Sequence, residues 1–215
     1  MILYGSTMSP YVRKVVAFAA EKGMALDIKT VGLGDPDPGF AAASPFKKMP
    51  ALDDEGYTLA DSSAICHYLE AKQPAPSLIP VEAKARGKTI WYDEFADTIL
   101  FACGAAIFFN RVVAPRFLRR EGDLVAADKA ECETLPPLLD YLEGVIPDSG
   151  FLVGDALTLA DIAVASPFAN LAHCGVTIDA ARYSKTAHYV SVILARPSFA
   201  PSIARETAFL ARTAA

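Results

Sequence analysis

Three prolines within eight residues, Pro74, Pro76 and Pro80, divide this 215-residue chain more sharply than any other feature. Proline locks φ and removes a backbone donor, so residues 73–80 carry neither a helix nor a central strand. They read as a semi-rigid linker. Before it the apolar pattern switches between strand-like runs and helical spacing. After it the pattern is helical throughout. Two domains are expected, residues 1–76 and 82–215.

Met1-Ile2-Leu3-Tyr4, closed by Gly5 and Ser6, reads as a buried strand. From Pro10 onward Val12, Val15, Val16, Ala19 and Ala20 recur at helical intervals until Gly23. Proline suits a first helical turn, which puts Ser9 at the N-cap. Residues 26–31 read as a second strand, and Gly34-Asp35-Pro36-Asp37-Pro38-Gly39 as a loop without regular structure. Short strands at 51–53 and 57–59 flank Asp54-Glu55-Gly56, a hairpin signal. Residues 62–72 form a helix with Ile65, Tyr68 and Leu69 on one face. Beyond the linker a long helix starts near Glu82 and carries Trp91, Phe95, Thr98 and Ile99 along one side; Pro115 is predicted to stop it. A second begins near Asp123, with a break or kink at Pro136-Pro137. A third opens at Thr158-Leu159-Ala160-Asp161, where Thr158 fits the N-cap, Asp161 the short-armed partner of a capping box, and Leu157 and Ile162 the staple. Helices near 186–195 and 202–212 follow. A small mixed sheet cannot bury both faces alone, so the helical part is expected to pack on it.

Apolar residues make up 53% of the chain, which excludes disorder. A net charge of −5 with the signs mixed argues against a nucleic-acid or anionic-membrane surface. The apolar stretch 99–109 is 11 residues long, short of the ~20 a spanning helix needs. No basic, cleavable leader opens the chain. A cytoplasmic protein with no membrane partner is expected. Cys66, Cys103, Cys132 and Cys174 lie far apart, with no C-x-x-C pair, and read as small buried apolar residues in a reducing compartment. His67, His173 and His188 show no ligand spacing and read as structural.

Three segments carry chemistry: Ser9-Pro10-Tyr11-Val12-Arg13, Phe46-Lys47-Lys48-Met49-Pro50-Ala51-Leu52, and Leu59-Ala60-Asp61-Ser62-Ser63-Ala64-Ile65. They supply a hydroxyl at a helix start, a bare backbone edge before a proline, and an acid–hydroxyl pair opening another helix. One small ligand with a thiol, peptide groups and carboxylates would use all three, since a helix N-terminus attracts a carboxylate.

In this order and spacing the chain resembles the soluble glutathione transferase family over nearly its whole length. Ser9-Pro10-Tyr11-Val12-Arg13-Lys14 is most similar to the serine-type classes and their bacterial relatives. The resemblance implies a thioredoxin-like N-terminal domain (βαβ-ββα) followed by an all-α C-terminal domain, glutathione as co-substrate, no metal, and a homodimer. It assigns Ser9 to the glutathione sulfur, with Ser6, Thr7 or a backbone N–H as open alternatives; Tyr4 reads as core. A thiol pKa near 8.5 must fall by about two units, or ~2.7 kcal/mol, for the thiolate to dominate. A charge-assisted hydrogen bond and a helix terminus supply that order of energy. The absence of cysteine at position 9 argues against disulfide exchange.

The resemblance further implies a cis Pro50, with the Met49 main chain pairing to the cysteinyl part in the manner of an added strand. Asp61 would receive the γ-glutamyl ammonium and Ser62 its carboxylate, although the family's usual acid is glutamate, one methylene longer. Lys48, or its neighbour Lys47, would pair with the glycyl carboxylate. Arg13 would steady the loop, meet a partner subunit, or lie at the surface. Met8, Tyr11, Phe101, Phe108 and Phe109, with Ala105 and Phe117, would line the pocket for an apolar electrophile. The implied activity is conjugation of glutathione to alkyl or aryl electrophiles in detoxification. The alternatives are a glutathione-dependent peroxidase, dehalogenase or isomerase, or a non-catalytic binding or scaffold protein of the same fold. The doubled serine–cysteine opening of maleylacetoacetate isomerases is absent.

Overall fold

In the computed structural model, which describes residues 1–32 and 34–212, side-chain alternation along the first strand assigns the two faces of the sheet. Leu3 of β1 (Ile2–Tyr4) joins Val12, Val15 and Phe18 of α1 (Pro10–Glu21) in the main core. Tyr4 points the other way and meets Val31, Phe40 and Ala43. β1 runs parallel to β2 (Asp27–Lys29), Ile2 opposite Asp27, and antiparallel to β3 (Ala51–Asp54), Leu3 opposite Leu52. β4 (Tyr57–Ala60) pairs with β3, giving the order β2-β1-β3-β4. Glu55 and Gly56 both take positive φ, 54° and 92°, the conformation of a two-residue turn whose twist matches its strands.

The second face is covered by α2 (Pro38–Ala43), where the sequence reading expected only loop. Its signals were present: Asp37 accepts from the Phe40 N–H at 2.8 Å and Pro38 occupies the first turn. Proline and glycine density hid a helix of six residues. α3 spans Ser62–Lys72, as predicted.

The linker is tied down on both sides. Lys22 Nζ donates to the Pro76 carbonyl at 2.7 Å, Leu78 and Ile79 are buried, and the Leu159 N–H donates to the Leu78 carbonyl at 2.8 Å.

Pro115 does not end the long helix. α4 (Ala83–Glu94), a π-helical stretch Phe95–Leu100, α5 (Phe101–Phe108) and a second π-helical stretch Phe109–Phe117 run as one helix of 35 residues, with Pro115 inside it. Widening the ladder to i→i+5 bonds accommodates a residue with no N–H. The same device, Ala130–Thr134, joins α6 (Leu124–Lys129) to α7 (Leu135–Val145), whose first turn holds Pro136-Pro137. By length and composition the 35-residue helix would also pass as a membrane span, with mean hydropathy 1.6 over its most apolar 18 residues, a property the 11-residue stretch did not reveal. Here it packs along α8 (Leu159–His173).

α8 is buried from Leu159 through Leu171, its polar side chains Asp161, Ser166 and Asn170 included. Asp161 accepts from the Thr158 N–H at 2.9 Å and the Leu152 N–H at 2.8 Å, completing the capping box. α8 touches α1, α4, α5 and α9 (Ser184–Leu194), so a continuous core joins sheet and helices; α10 (Ala200–Arg212) ends the described chain. Cys66 and Cys103 are buried as expected, but Cys132 is exposed.

Gly5 lies where β1 approaches α1. Its φ is +153°, and a Cβ there would sit 2.5 Å from Val12 Cγ2. Gly5→Ala is expected to cost about 1–3 kcal/mol through overpacking and backbone strain, read as a lowered urea midpoint. Wild-type stability in this variant would contradict the close approach.

Candidate functional site

Ser9 caps α1 through its main chain alone. The Arg13 N–H donates to the Ser9 carbonyl at 3.0 Å, and the Ser9 hydroxyl makes no capping bond. That hydroxyl, at the positive end of a helix dipole, is available to an anion. Ser6 and Thr7 border a different depression, shared with Thr30 and Arg205.

The Met49–Pro50 bond is cis, as the resemblance implies. The preceding loop is pinned by buried Ser44, whose Oγ donates to the Lys48 carbonyl at 2.6 Å and accepts from the Lys48 N–H at 2.9 Å. Among the described residues, neither the N–H nor the carbonyl of Met49 has a hydrogen-bond partner. A donor and an acceptor therefore stand side by side, ready for an extended peptide.

At the start of α3, Asp61 takes φ 82°, a left-handed conformation that costs a non-glycine residue about 1–3 kcal/mol. Its Oδ1 accepts from the N–H groups of Ser63 (2.9 Å) and Ala64 (3.0 Å). Ser62 is buried, and its hydroxyl donates to Asp97 Oδ2 at 3.3 Å; the Ser63 hydroxyl donates to the same oxygen at 3.2 Å.

Asp97 leads to a group that sequence reasoning missed. Lys14, on the buried face of α1, donates from Nζ to Asp93 Oδ1 (2.8 Å), Asp97 Oδ2 (2.6 Å) and Ser63 Oγ (3.1 Å), which satisfies all three ammonium protons. Burial lowers the Lys14 pKa, but Asp93 and Asp97 together outweigh it and the value is raised. Asp97 is raised by burial first and by the charge of Asp93, against the pull of Lys14. Two carboxylates share one ammonium. The available signal was local: Lys14 falls between Val12 and Val15 on an apolar face, and Asp93 and Asp97 stand one turn apart on an apolar helix.

A cleft of about 580 Å³ gathers six of the predicted site residues: Tyr11, Lys48, Met49, Pro50, Asp61 and Ser62. The long helix adds Glu94 and Asp97. The cleft wall thus carries three carboxylates, Asp61, Glu94 and Asp97, and one lysine, Lys48. The Tyr11 hydroxyl donates to the Asp97 carbonyl at 2.8 Å. Burial, then Asp97 and Asp61, push its pKa up, so it orients and does not act as a base. The remaining predicted residues stand apart from the cleft wall. Ser9 and Met8 belong to the loop before α1, and Phe101 reaches the wall only by its ring contact with Tyr11 (4.5 Å). Phe108 and Phe109 do not line it; the Phe109 ring faces the Arg120 guanidinium at 5.2 Å. Of the residues expected to line an electrophile pocket, this cleft holds Tyr11 on its wall. Burial pushes the Cys103 and Cys174 thiols up to about 11, which leaves neither as a nucleophile.

Residues 3–77 match the family described as glutathione S-transferase, N-terminal domain, and residues 117–204 match glutathione S-transferase, C-terminal domain. Glutathione S-transferase 3 of Zea mays is 32% identical over 74% of this chain and 72% of its own length. A stringent starvation protein A homolog of Coxiella burnetii is 26% identical over 94% of this chain and 91% of its own. The crystal structure of a Methylobacterium radiotolerans glutathione S-transferase in complex with glutathione sulfonate superposes with a TM-score of 0.76 at 28% identity, covering 94% of this chain and 93% of that one.

Proposed function

Because the chain belongs to the glutathione transferase family, we propose that it binds glutathione in this cleft and conjugates the thiolate to an apolar alkyl or aryl electrophile. The observation that carries the reading is the main chain of Met49, without a hydrogen-bond partner among the described residues, on one cleft with the capped start of α3. The cysteinyl backbone pairs with Met49. The γ-glutamyl carboxylate meets the Ser62 N–H, the group at the start of α3 that the Asp61 cap does not take. Its ammonium lies between Asp61, whose Oδ2 is left by the cap, and Asp97. The glycyl carboxylate extends toward Lys48.

The sulfur would lie toward Ser9, which is off the cleft wall two residues before Tyr11, and the Ser9 hydroxyl would donate to the thiolate. The thiolate attacks the electrophilic carbon, a carbon–sulfur bond forms, and a halide or other anion leaves. Ser6 and Thr7, turned to another depression, are weaker candidates for this role. We assign the chain to the serine type, with residues 1–76 as the glutathione-binding unit and 82–215 as the helical unit, in a cytoplasmic detoxifying enzyme. A homodimer is supported by apolar side chains left uncovered: Phe46 on the cleft wall is 85% exposed, and Trp91 and Ile99 on the long helix are 48% and 43% exposed.

The activity is tested with chloro-dinitrobenzene, followed as chloride-displacing conjugation. Retention on immobilised glutathione with no turnover over a broad electrophile panel would favour a second reading, a binder without chemistry. The Coxiella relative, which carries no transferase name, keeps that reading in view.

Asp97→Asn is expected to weaken glutathione binding roughly tenfold, the value of one hydrogen bond to a charged group, with little loss of stability. Lys14 retains Asp93, and the substitution removes a carboxylate that burial already disfavours. Calorimetry and a urea melt check the two halves. Unchanged affinity would remove Asp97 from the ligand site.

A further inference from the structure

We infer that Ser166 and Asn170 of α8, held in place by Arg13 and Glu206, are positioning residues for Ser9, so that the C-terminal helix forms part of the apparatus setting thiolate reactivity. This rests on the glutathione-conjugating reading above.

Nothing within α1 fixes the Ser9 side chain, since it makes no cap bond. Its main chain is held instead from both sides. Asn170 Nδ2 donates to the Met8 carbonyl at 2.8 Å, and Ser166 Oγ donates to the Pro10 carbonyl at 2.8 Å. Ser166 and Asn170 are four residues apart, on one face of α8 and one turn apart. The carbonyls immediately before and after Ser9 are therefore suspended from two consecutive turns of the most buried helix in the molecule.

Arg13 determines which way the suspension faces. Its NH1 group donates to Asn170 Oδ1 at 2.9 Å and to the Ser166 carbonyl at 2.8 Å. An amide has one acceptor atom and one donor atom. With Oδ1 occupied by the guanidinium, Nδ2 must face Met8. The other side of the guanidinium forks onto Glu206 of α10, Nε to Oε1 at 3.2 Å and NH2 to Oε2 at 2.6 Å. His173 Nε2 contacts the same Oε2 at 2.9 Å. Arg13 is wholly buried, and the Glu206 side chain is 2% exposed. Burial pushes the Glu206 carboxyl up, but His173, Arg13 and Thr7 outweigh it and hold the value below its ordinary one.

An ion pair this deep is a poor device for stability alone, because desolvation offsets most of its attraction. Its geometry suits another task. A planar fork fixes α10, α8 and α1 in one register, and that register delivers two hydrogen bonds to the peptide groups around one serine. Misplacing a reacting group by about 1 Å costs up to roughly a hundredfold in rate, so fixing those carbonyls matters to the chemistry.

Asn170→Asp separates the two sides of the amide: it keeps an acceptor for Arg13 and removes the donor to Met8. Ser166→Ala removes the hydroxyl that holds Pro10 and its longer 3.5 Å contact from Arg13, leaves the Arg13 bond to the Ser166 carbonyl, and tests the same claim should Asn170→Asp fold poorly. Each is expected to lower kcat roughly tenfold, to shift the pH profile of kcat/KM and the ultraviolet titration of the bound thiolate toward alkaline pH, and to leave glutathione affinity within about twofold, since Met49, Asp61 and Ser62 are untouched. In a Ser9→Ala background the same substitutions are expected to add almost nothing, because their effect passes through Ser9. Unshifted thiolate titrations in both single variants, or full additional losses without Ser9, would overturn the positioning role. A wild-type protein that binds no glutathione removes the functional reading and this inference together; one that binds and turns over normally, with indifferent variants, removes only the inference.

Discussion

Ser9→Ala is expected to lower turnover about thirtyfold near neutral pH while leaving the glutathione Kd within about twofold, because one charge-assisted hydrogen bond of ~2 kcal/mol is lost from the thiolate alone. The effect falls on a single protonation state. Free thiols ionise near 8.5, so at neutral pH only a few per cent is nucleophilic without help. In the proposed role the serine hydroxyl would supply most of the shift; the N-terminus of α1, which survives the substitution, would supply about 0.3–1 kcal/mol more. The structure strengthens the case because the hydroxyl does not cap its own helix. Removing it therefore leaves the helix start intact, and a lost rate cannot be attributed to a lost cap. The measurement is the ultraviolet titration of bound thiolate in wild type and variant. Equal pKa values would exclude Ser9 and return attention to Ser6, Thr7 or a backbone N–H.

The second large effect concerns stability. Lys14→Met leaves Asp93 and Asp97 buried without their counter-charge and is expected to cost about 3–5 kcal/mol at neutral pH. The pH dependence has a defined sign. The folded-state pKa of Lys14 is raised, so its contribution is complete below its unfolded value of about 10.4 and is lost as pH rises through the folded value. Wild type should weaken in that alkaline range, and the variant should lack this step. In the variant the Asp97 carboxyl, already raised by burial, loses the Lys14 charge that held it down. A raised carboxyl favours the fold below its unfolded pKa of about 4 and loses that advantage as pH rises. The gap between variant and wild type should therefore narrow toward acid. Urea melts at acidic, neutral and alkaline pH check all three statements. A constant gap would mean that the cluster does not carry the charges assigned to it. Since Ser62 and Ser63 both donate to Asp97, the variant should also loosen the start of α3 and bind glutathione less tightly.

Much of the fold was legible because local signals and burial agree. α3 begins and ends where its pattern does, the Thr158–Asp161 cap forms, and Glu55-Gly56 makes the hairpin. The failures share a different cause: tertiary structure overrode a local rule. Pro115 was expected to end a helix, but π-helical bonding carried the helix past it. α2 was hidden by the very prolines that start it.

The site divides the same way. Met49, Pro50, Asp61 and Ser62, which occupy segments of distinctive sequence at a cis bond and a helix start, are set on one cleft. Residues that act through contacts 79 to 193 positions away, Lys14 with Asp93 and Arg13 with Glu206, leave only a charge on an apolar face as their trace. The pocket phenylalanines were read from the family resemblance and their aromatic character, which do not fix the rotation of a helix, and they do not line the cleft that holds Met49 and Asp61.

The account rests on a tripeptide lying against Met49 and the start of α3. Isothermal titration calorimetry with glutathione tests this most directly. One saturable site per chain is expected, weakened by Asp61→Ala; a folded protein that shows no saturable heat at millimolar glutathione would contradict it.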